Sequence, residues 1–256
     1  MKIACSTASF ERALGEGSLT QLEWLDLCAN ELEIEGVVFE ARHFPRTDDD
    51  YLAQLKKLSV DLGLTVAGLA ADDLLAGRAA ERIAQARALG APLVAATAPP
   101  ASEDPAAWGA FVEDARTAAT EGKRQNVTVA VRNAPGTFCA GAADLKRLAK
   151  DVDSAWLRFA PDLAAFGALD ALLGIVVKAV LAVHTLENVC AFATEGDPEA
   201  AAFARKLRRF RGFVLLERAD DGAPRDAYHD ALRRFRELRA AALDDTAALD
   251  AAGTPA

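Results

Sequence analysis

Eight short apolar runs, each followed by a longer segment of helical periodicity, constrain the fold of this chain more than any other feature. The runs are Lys2–Ser6, Gly36–Phe39, Leu64–Leu69, Pro92–Thr97, Val127–Val131, Trp156–Ala160, Val180–Val183 and Gly212–Leu216. Between them, Ser18-Leu19-Thr20-Gln21 leads into Leu22, Leu25 and Leu27, and Asp48-Asp49-Asp50 leads into Leu52, Leu55 and Leu58, helix starts that open onto one apolar face. Gly63, Gly90 and Gly122 fall where those helices should stop, as expected of a residue that tolerates a left-handed C-cap. Parallel strands joined by helices form either an open doubly wound sheet or a closed barrel. After the first run the chain reads Ser6-Thr7-Ala8-Ser9-Phe10, without the glycine-rich phosphate loop of the open sheet. Eight units in one α/β domain therefore predict a (β/α)8 TIM barrel.

A chain of 256 residues that is 52% hydrophobic can bury one large core as a single domain. The barrel is expected over 1–243. Residues 244–256, rich in Ala and Asp and containing Gly253 and Pro255, read as a fraying tail.

The formal charge is -9, and the basic residues concentrate only around Arg205–Arg211 and Arg233–Arg239, where they alternate with apolar positions as on solvated helix faces. A phosphate-binding surface needs concentrated positive charge, so nucleic acid is not expected as a partner. No apolar window is long enough for a membrane span, and Met1-Lys2 passes directly into the first run without a signal-peptide pattern, which predicts a cytoplasmic protein. Cys5, Cys28, Cys139 and Cys190 are widely spaced, form no C-x-x-C pair, and read as buried thiols.

In a parallel barrel the chemistry comes from the carboxyl ends of the strands. The polar residues ending apolar runs here are Glu40, Arg132, Asp162, His184 and Glu217. One such residue is commonly a cap or a loop residue. Four on consecutive strands five to eight converge on one axial pocket, where carboxylate and imidazole together suit a divalent ion such as Mn, Mg, Zn or Co. Glu40, Arg42 and His43 follow the second strand and suit either an anionic or polyhydroxylated ligand or a loop salt bridge. Asp72-Asp73 read as a cap for the next helix, His229 as a surface residue, and Trp24, Trp108 and Trp156 as packing residues.

The run Val127-Thr128-Val129-Ala130-Val131-Arg132-Asn133, with Pro135-Gly136-Thr137 after it, resembles the strand-five motif of the xylose-isomerase-like barrel superfamily of sugar isomerases, epimerases and dehydratases. The resemblance covers roughly residues 1–240. It implies a metal held by Glu, Asp, His and Glu that polarises substrate oxygens while carboxylates move protons. Asp162, His184 and Glu217 match three of those ligands, but Arg132 stands where the strand-five glutamate belongs. Asn133 matches the motif, and Glu187 replaces the aspartate of the strand-seven pattern His184-Thr185-Leu186-Glu187. Ala165, Leu186 and Cys190 replace the family's histidine, lysine and arginine.

A guanidinium cannot deprotonate, and a unit charge about 4 Å away interacts at roughly 4 kcal/mol at an effective dielectric near 20, so Arg132 penalises a nearby dication. Paired with Asp162 and Glu217 it supplies their counter-charge instead. That arrangement predicts no cofactor. The alternative is that Arg132 swings outward and a metal remains on Asp162, His184 and Glu217. Two functions follow. One is an isomerase- or epimerase-like enzyme for a small polyhydroxylated or keto-acid ligand, with His184 and Glu217 exchanging the proton, Arg132 holding the developing oxyanion, and Glu40, His43, Asn133 and Glu187 binding the substrate. The other is a non-catalytic ligand-binding or regulatory barrel. An apurinic-site endonuclease needs more histidines than the three present.

Overall fold

The first strand pairs with the last. A computed structural model describes residues 2–162, the backbone of 181–185, residues 212–217 and, nearer the carboxyl terminus, 225–226, 228–233, 235–237 and 240. Eight strands, β1 (Lys2–Ser6), β2 (Gly36–Glu40), β3 (Thr65–Ala70), β4 (Leu93–Thr97), β5 (Thr128–Arg132), β6 (Leu157–Phe159), β7 (Leu181–Thr185) and β8 (Phe213–Glu217), form one sheet in the order β6-β5-β4-β3-β2-β1-β8-β7. All the pairings are parallel, and Cys5 of β1 lies opposite Val37 of β2 on one side and Leu216 of β8 on the other. A doubly wound sheet would reverse its order at a switch point. This order follows the chain and returns the last strands to the first, the connectivity of a single-domain (β/α)8 TIM barrel.

Alternation along the strands sorts the core into two layers. Ala4, Val38, Ala67, Leu93, Ala95, Ala130, Ala160 and Leu215 form an inner cluster. Their neighbours Ile3, Cys5, Val37, Phe39, Val94, Val129, Val131, Val214 and Leu216 join the larger outer cluster that packs on the helices. Five of the eight inner residues are alanines, so the barrel axis is only partly filled. Trp24 packs edge-on to Phe39 and is fully buried.

The α-helices between β1 and β6 are α1 (Glu11–Gly15), α2 (Gln21–Asp26), α3 (Asp49–Asp61), α4 (Ala79–Leu89), α5 (Ala107–Gln125) and α6 (Ala142–Val152). The expected starts are real caps. Thr20 and Glu23 form a reciprocal capping box on α2, and the Asp48 carboxylate accepts from the Tyr51 amide at 3.0 Å. Gly90 caps α4 in the left-handed region, and Gly63, φ +73°, follows α3.

Gly122 is a correction. It lies inside α5, and the helix stops at Asn126 with φ +59°. The glycine serves packing: a Cβ there would collide with the Val127 carbonyl. Asp72 and Asp73 are a second correction, since neither caps α4. Asp73 instead pairs with Arg82 at 2.6 Å, and Asp72 accepts from the Thr97 amide at 3.2 Å.

Tyr228, fully buried, donates to the Leu216 carbonyl at 2.6 Å and lies 2.8 Å from Ser9 Oγ, which docks the carboxyl-terminal segment against β1 and β8. His229 is exposed. Cys5, Cys28 and Cys139 are buried free thiols. Among the described residues no helix is long and apolar enough to cross a membrane. Residues 163–180, 186–211 and 244–256, including Ala165, Glu187, Cys190, the Arg205–Arg211 run and the expected tail, lie outside the described residues.

Candidate functional site

The inner alanines leave a cavity of about 200 Å³ at the carboxyl end of the strands. Its floor is Val38, Ala95, Ala160 and Leu215, and its polar wall is Glu40, Arg42, Asp72, Thr97, Arg132 and Glu217. These side chains come together because each ends or closely follows a strand whose last residues are locked into the parallel ladder, such as Thr97 opposite Arg132.

Arg132 is the hub. Its Nη1 donates to Glu217 Oε2 at 2.7 Å and its Nη2 to Asp162 Oδ2 at 2.8 Å. The three side chains are 27%, 12% and 16% exposed respectively, so these are shielded, charge-assisted bonds. Burial alone would lower the guanidinium's pKa, but the charges of Glu217 and Asp162 outweigh it and push it above its ordinary value, leaving Arg132 a fixed cation.

Asn133 lies next in the chain yet points away from the cavity lining. It is fully buried, its Oδ1 accepts from the Asp162 amide at 2.8 Å, and its Nδ2 has no partner among the described residues. It thus ties the end of β5 to the segment after β6 and holds Asp162 where Arg132 meets it.

Glu40 is only 8% exposed, and its amide donates to Thr7 Oγ1 at 2.8 Å. Its carboxylate lies 3.9 Å from Arg42, beyond hydrogen-bond range. Burial, then the charge of Glu217, and more weakly Asp72, raise its pKa to about 7 against the opposing pull of Arg42 and Arg132. Arg42 also reaches Glu11 at 3.2 Å and donates to His43 Nε2 at 3.2 Å.

His43 lies outside the cavity lining, with its imidazole 8% exposed and 3.7 Å from Glu11. Burial, then Arg42, lower its pKa against Glu11, and its Nδ1 has no partner among the described residues. His184 stands on β7 opposite Leu216, its side chain outside the described residues. Asp72, read from the sequence as a helix cap, and Thr97 are wall residues that the sequence did not assign to the site. Asp72 follows β3 by two positions, the only available signal.

A divalent ion does not fit beside Arg132 as it is placed. One oxygen each of Asp162 and Glu217 lies 2.8 and 2.7 Å from a guanidinium nitrogen, so a dication on these carboxylates would sit beside a fixed positive charge. Among the described residues no three His, Cys, Asp or Glu form a metal-binding group.

Comparison with known proteins places this geometry in a family. The model described as xylose isomerase-like TIM barrel matches residues 28–238, and the chain belongs to that family. The fold is similar to a D-psicose 3-epimerase from Clostridium cellulolyticum H10, crystallised with D-tagatose, at a TM-score of 0.75 and 14% identity, covering 93% of this chain and 99% of that one. It is similar to an L-ribulose 3-epimerase at 0.75 and 15%, covering 99% of each chain. A probable 3-DHS dehydratase involved in petrobactin synthesis from Bacillus anthracis gives 0.73 and 16%, covering 92% of this chain and 99% of that one. At these identities the likeness concerns the fold. No curated protein sequence matches the chain.

Proposed function

We propose that this barrel binds a small, neutral, polyhydroxylated carbonyl compound at the carboxyl end of its strands, and that it is isomerase- or epimerase-like, with Arg132 as the fixed positive charge of the site. The observation that carries this reading is the guanidinium on the cavity wall, held by Asp162 and Glu217.

Charge narrows the ligand. Around the cavity Glu40, Asp72, Asp162 and Glu217 face Arg132 and Arg42, and both arginines already have carboxylate partners. A phosphate or carboxylate would meet that acidic excess, whereas hydroxyl groups donate to carboxylates. The epimerases of similar fold act on neutral sugars by their names, which agrees with this preference. In such a ligand the proton beside the carbonyl is the one to move. Arg132 stabilises the oxygen on which negative charge develops, and a carboxylate of the cavity wall exchanges the proton.

A second reading, a barrel that binds without turnover, is favoured by one observation: each of Asp162 and Glu217 has an oxygen already committed to Arg132. Incubation with ketopentoses, ketohexoses and inososes in D2O separates the two. Deuterium at the carbon beside the carbonyl supports the enzyme. A ligand-dependent thermal shift without exchange supports the binding barrel. Preferential binding of sugar phosphates over neutral sugars sinks the charge argument common to both.

A further inference from the structure

Resting on that reading of the cavity, we propose that Glu40 is the group that exchanges a proton with the ligand, from the wall formed by β2, while Arg132 holds the ligand oxygen.

Four carboxylates with described side chains face this cavity or its edge, and they are not equivalent: Asp72 accepts from the Thr97 amide at 3.2 Å. Glu217 and Asp162 each bond Arg132 through one oxygen at 2.7 and 2.8 Å. A carboxylate oxygen in a charge-assisted bond must give up that bond to take a proton there. Among the described residues Glu40 has no such commitment: its one ion-pair partner there is Arg42 at 3.9 Å, and Arg42 also reaches Glu11 at 3.2 Å. Glu40 also stands on the far side of β1 from Glu217, since β1 pairs with β2 on one edge and β8 on the other. The two carboxylates thus approach a bound ligand from different directions.

The charged groups that act on Glu40 are Glu217, Asp72, Arg42 and Arg132. With burial they leave it shared between its two protonation states near neutral pH, as a group that both takes and returns a proton requires.

In the step, the C–H bond beside the ligand's carbonyl breaks and its proton passes to a Glu40 oxygen. The electron pair moves into the new carbon–carbon double bond, and the carbonyl oxygen becomes an enolate oxygen beside Arg132. Return of a proton or solvent deuteron from Glu40 to the same carbon restores the ketose, so exchange needs no co-reactant.

Two measurements test this. In D2O with the ketose panel, Glu40→Gln should lower deuterium incorporation by roughly 100-fold or more while saturation-transfer NMR shows binding within a few-fold of wild type. Glu40→Asp should recover part of the loss. Without ligand, one glutamate carboxyl carbon should titrate near neutral pH and vanish from the spectrum of Glu40→Gln. Exchange retained in Glu40→Gln, or a Glu40 carboxyl titrating in the ordinary carboxylate range, overturns the assignment and leaves the cavity reading standing. A wild-type protein that neither binds nor exchanges any of the ketoses overturns both.

Discussion

Arg132 Nη1 lies 2.7 Å from Glu217 Oε2 although their strands, β5 and β8, are five steps apart in the sheet order. In a flat sheet five steps would separate the backbones by roughly 24 Å, well beyond the reach of the two side chains. The ion pair therefore exists only because the sheet curls. It also ties barrel closure to the chemistry of the site, so substitutions at Arg132 act on both.

Arg132→Ala should destabilise the fold by about 3 kcal/mol, because Asp162 and Glu217 would remain shielded without their counter-charge. Arg132→Glu should gain affinity for Mn or Zn, since it returns an oxygen donor toward Asp162 and Glu217 and changes the local charge by two units. Denaturant midpoints and metal analysis by mass spectrometry check the two outcomes. Stoichiometric metal in the wild-type protein, lost on Asp162→Ala, would show that Arg132 turns outward in solution.

Asn133→Ala should cost about 1–3 kcal/mol, because the Asp162 amide would lose its acceptor at a buried position. Hydrogen exchange at the amide of residue 162 should quicken well beyond that of neighbouring amides. Unchanged exchange there would mean that Asn133 does not hold the loop.

The barrel was legible because its signal is periodic and local. Every strand end read from the apolar runs lies within two residues of the observed one, from Lys2–Ser6 to Phe213–Glu217. The Arg132 pairing was one of two arrangements left open by the sequence, and the bonds to Glu217 and Asp162 are those of the paired one. What stayed hidden depends on three-dimensional surroundings. Glu40 reads as a strand-end residue suited to a ligand or a loop salt bridge, and its proton affinity stays hidden until its burial and the charges of Glu217 and Asp72 around it are known. Asp72 reads as a cap until it is found bonded to the Thr97 amide. Gly122 reads as a helix stop because nothing in the sequence shows that the Val127 carbonyl sits where its Cβ would be.

That last contact distinguishes two glycines of one helix. Gly122→Ala should destabilise by about 1–3 kcal/mol, since backbone cannot yield as a side-chain tip can. Gly109→Ala, with nothing within 4 Å of an added Cβ, should be neutral or slightly stabilising from helix propensity alone. Thermal melts of the two variants compared with wild type decide the matter. Equal effects would remove the packing role assigned to Gly122.

The pKa of Glu40 makes stability depend on pH in a direction opposite to that of an ion-paired carboxylate. Its folded value, about 7, exceeds its ordinary value of 4.5, so the folded state binds the proton more tightly than the unfolded chain does. The stability it contributes is fully present below about pH 4.5 and is lost as pH rises through about 7. At about 1.4 kcal/mol for each pH unit of that interval, the loss amounts to roughly 3 kcal/mol. Glu40→Gln keeps the shape without the charge. Its stability relative to wild type should therefore improve by up to that amount between pH 4.5 and pH 8, with most of the change between about pH 5 and 7. Urea unfolding of both proteins across this range measures it, and a difference that does not vary with pH would place the Glu40 carboxylate in water rather than in the buried cavity wall.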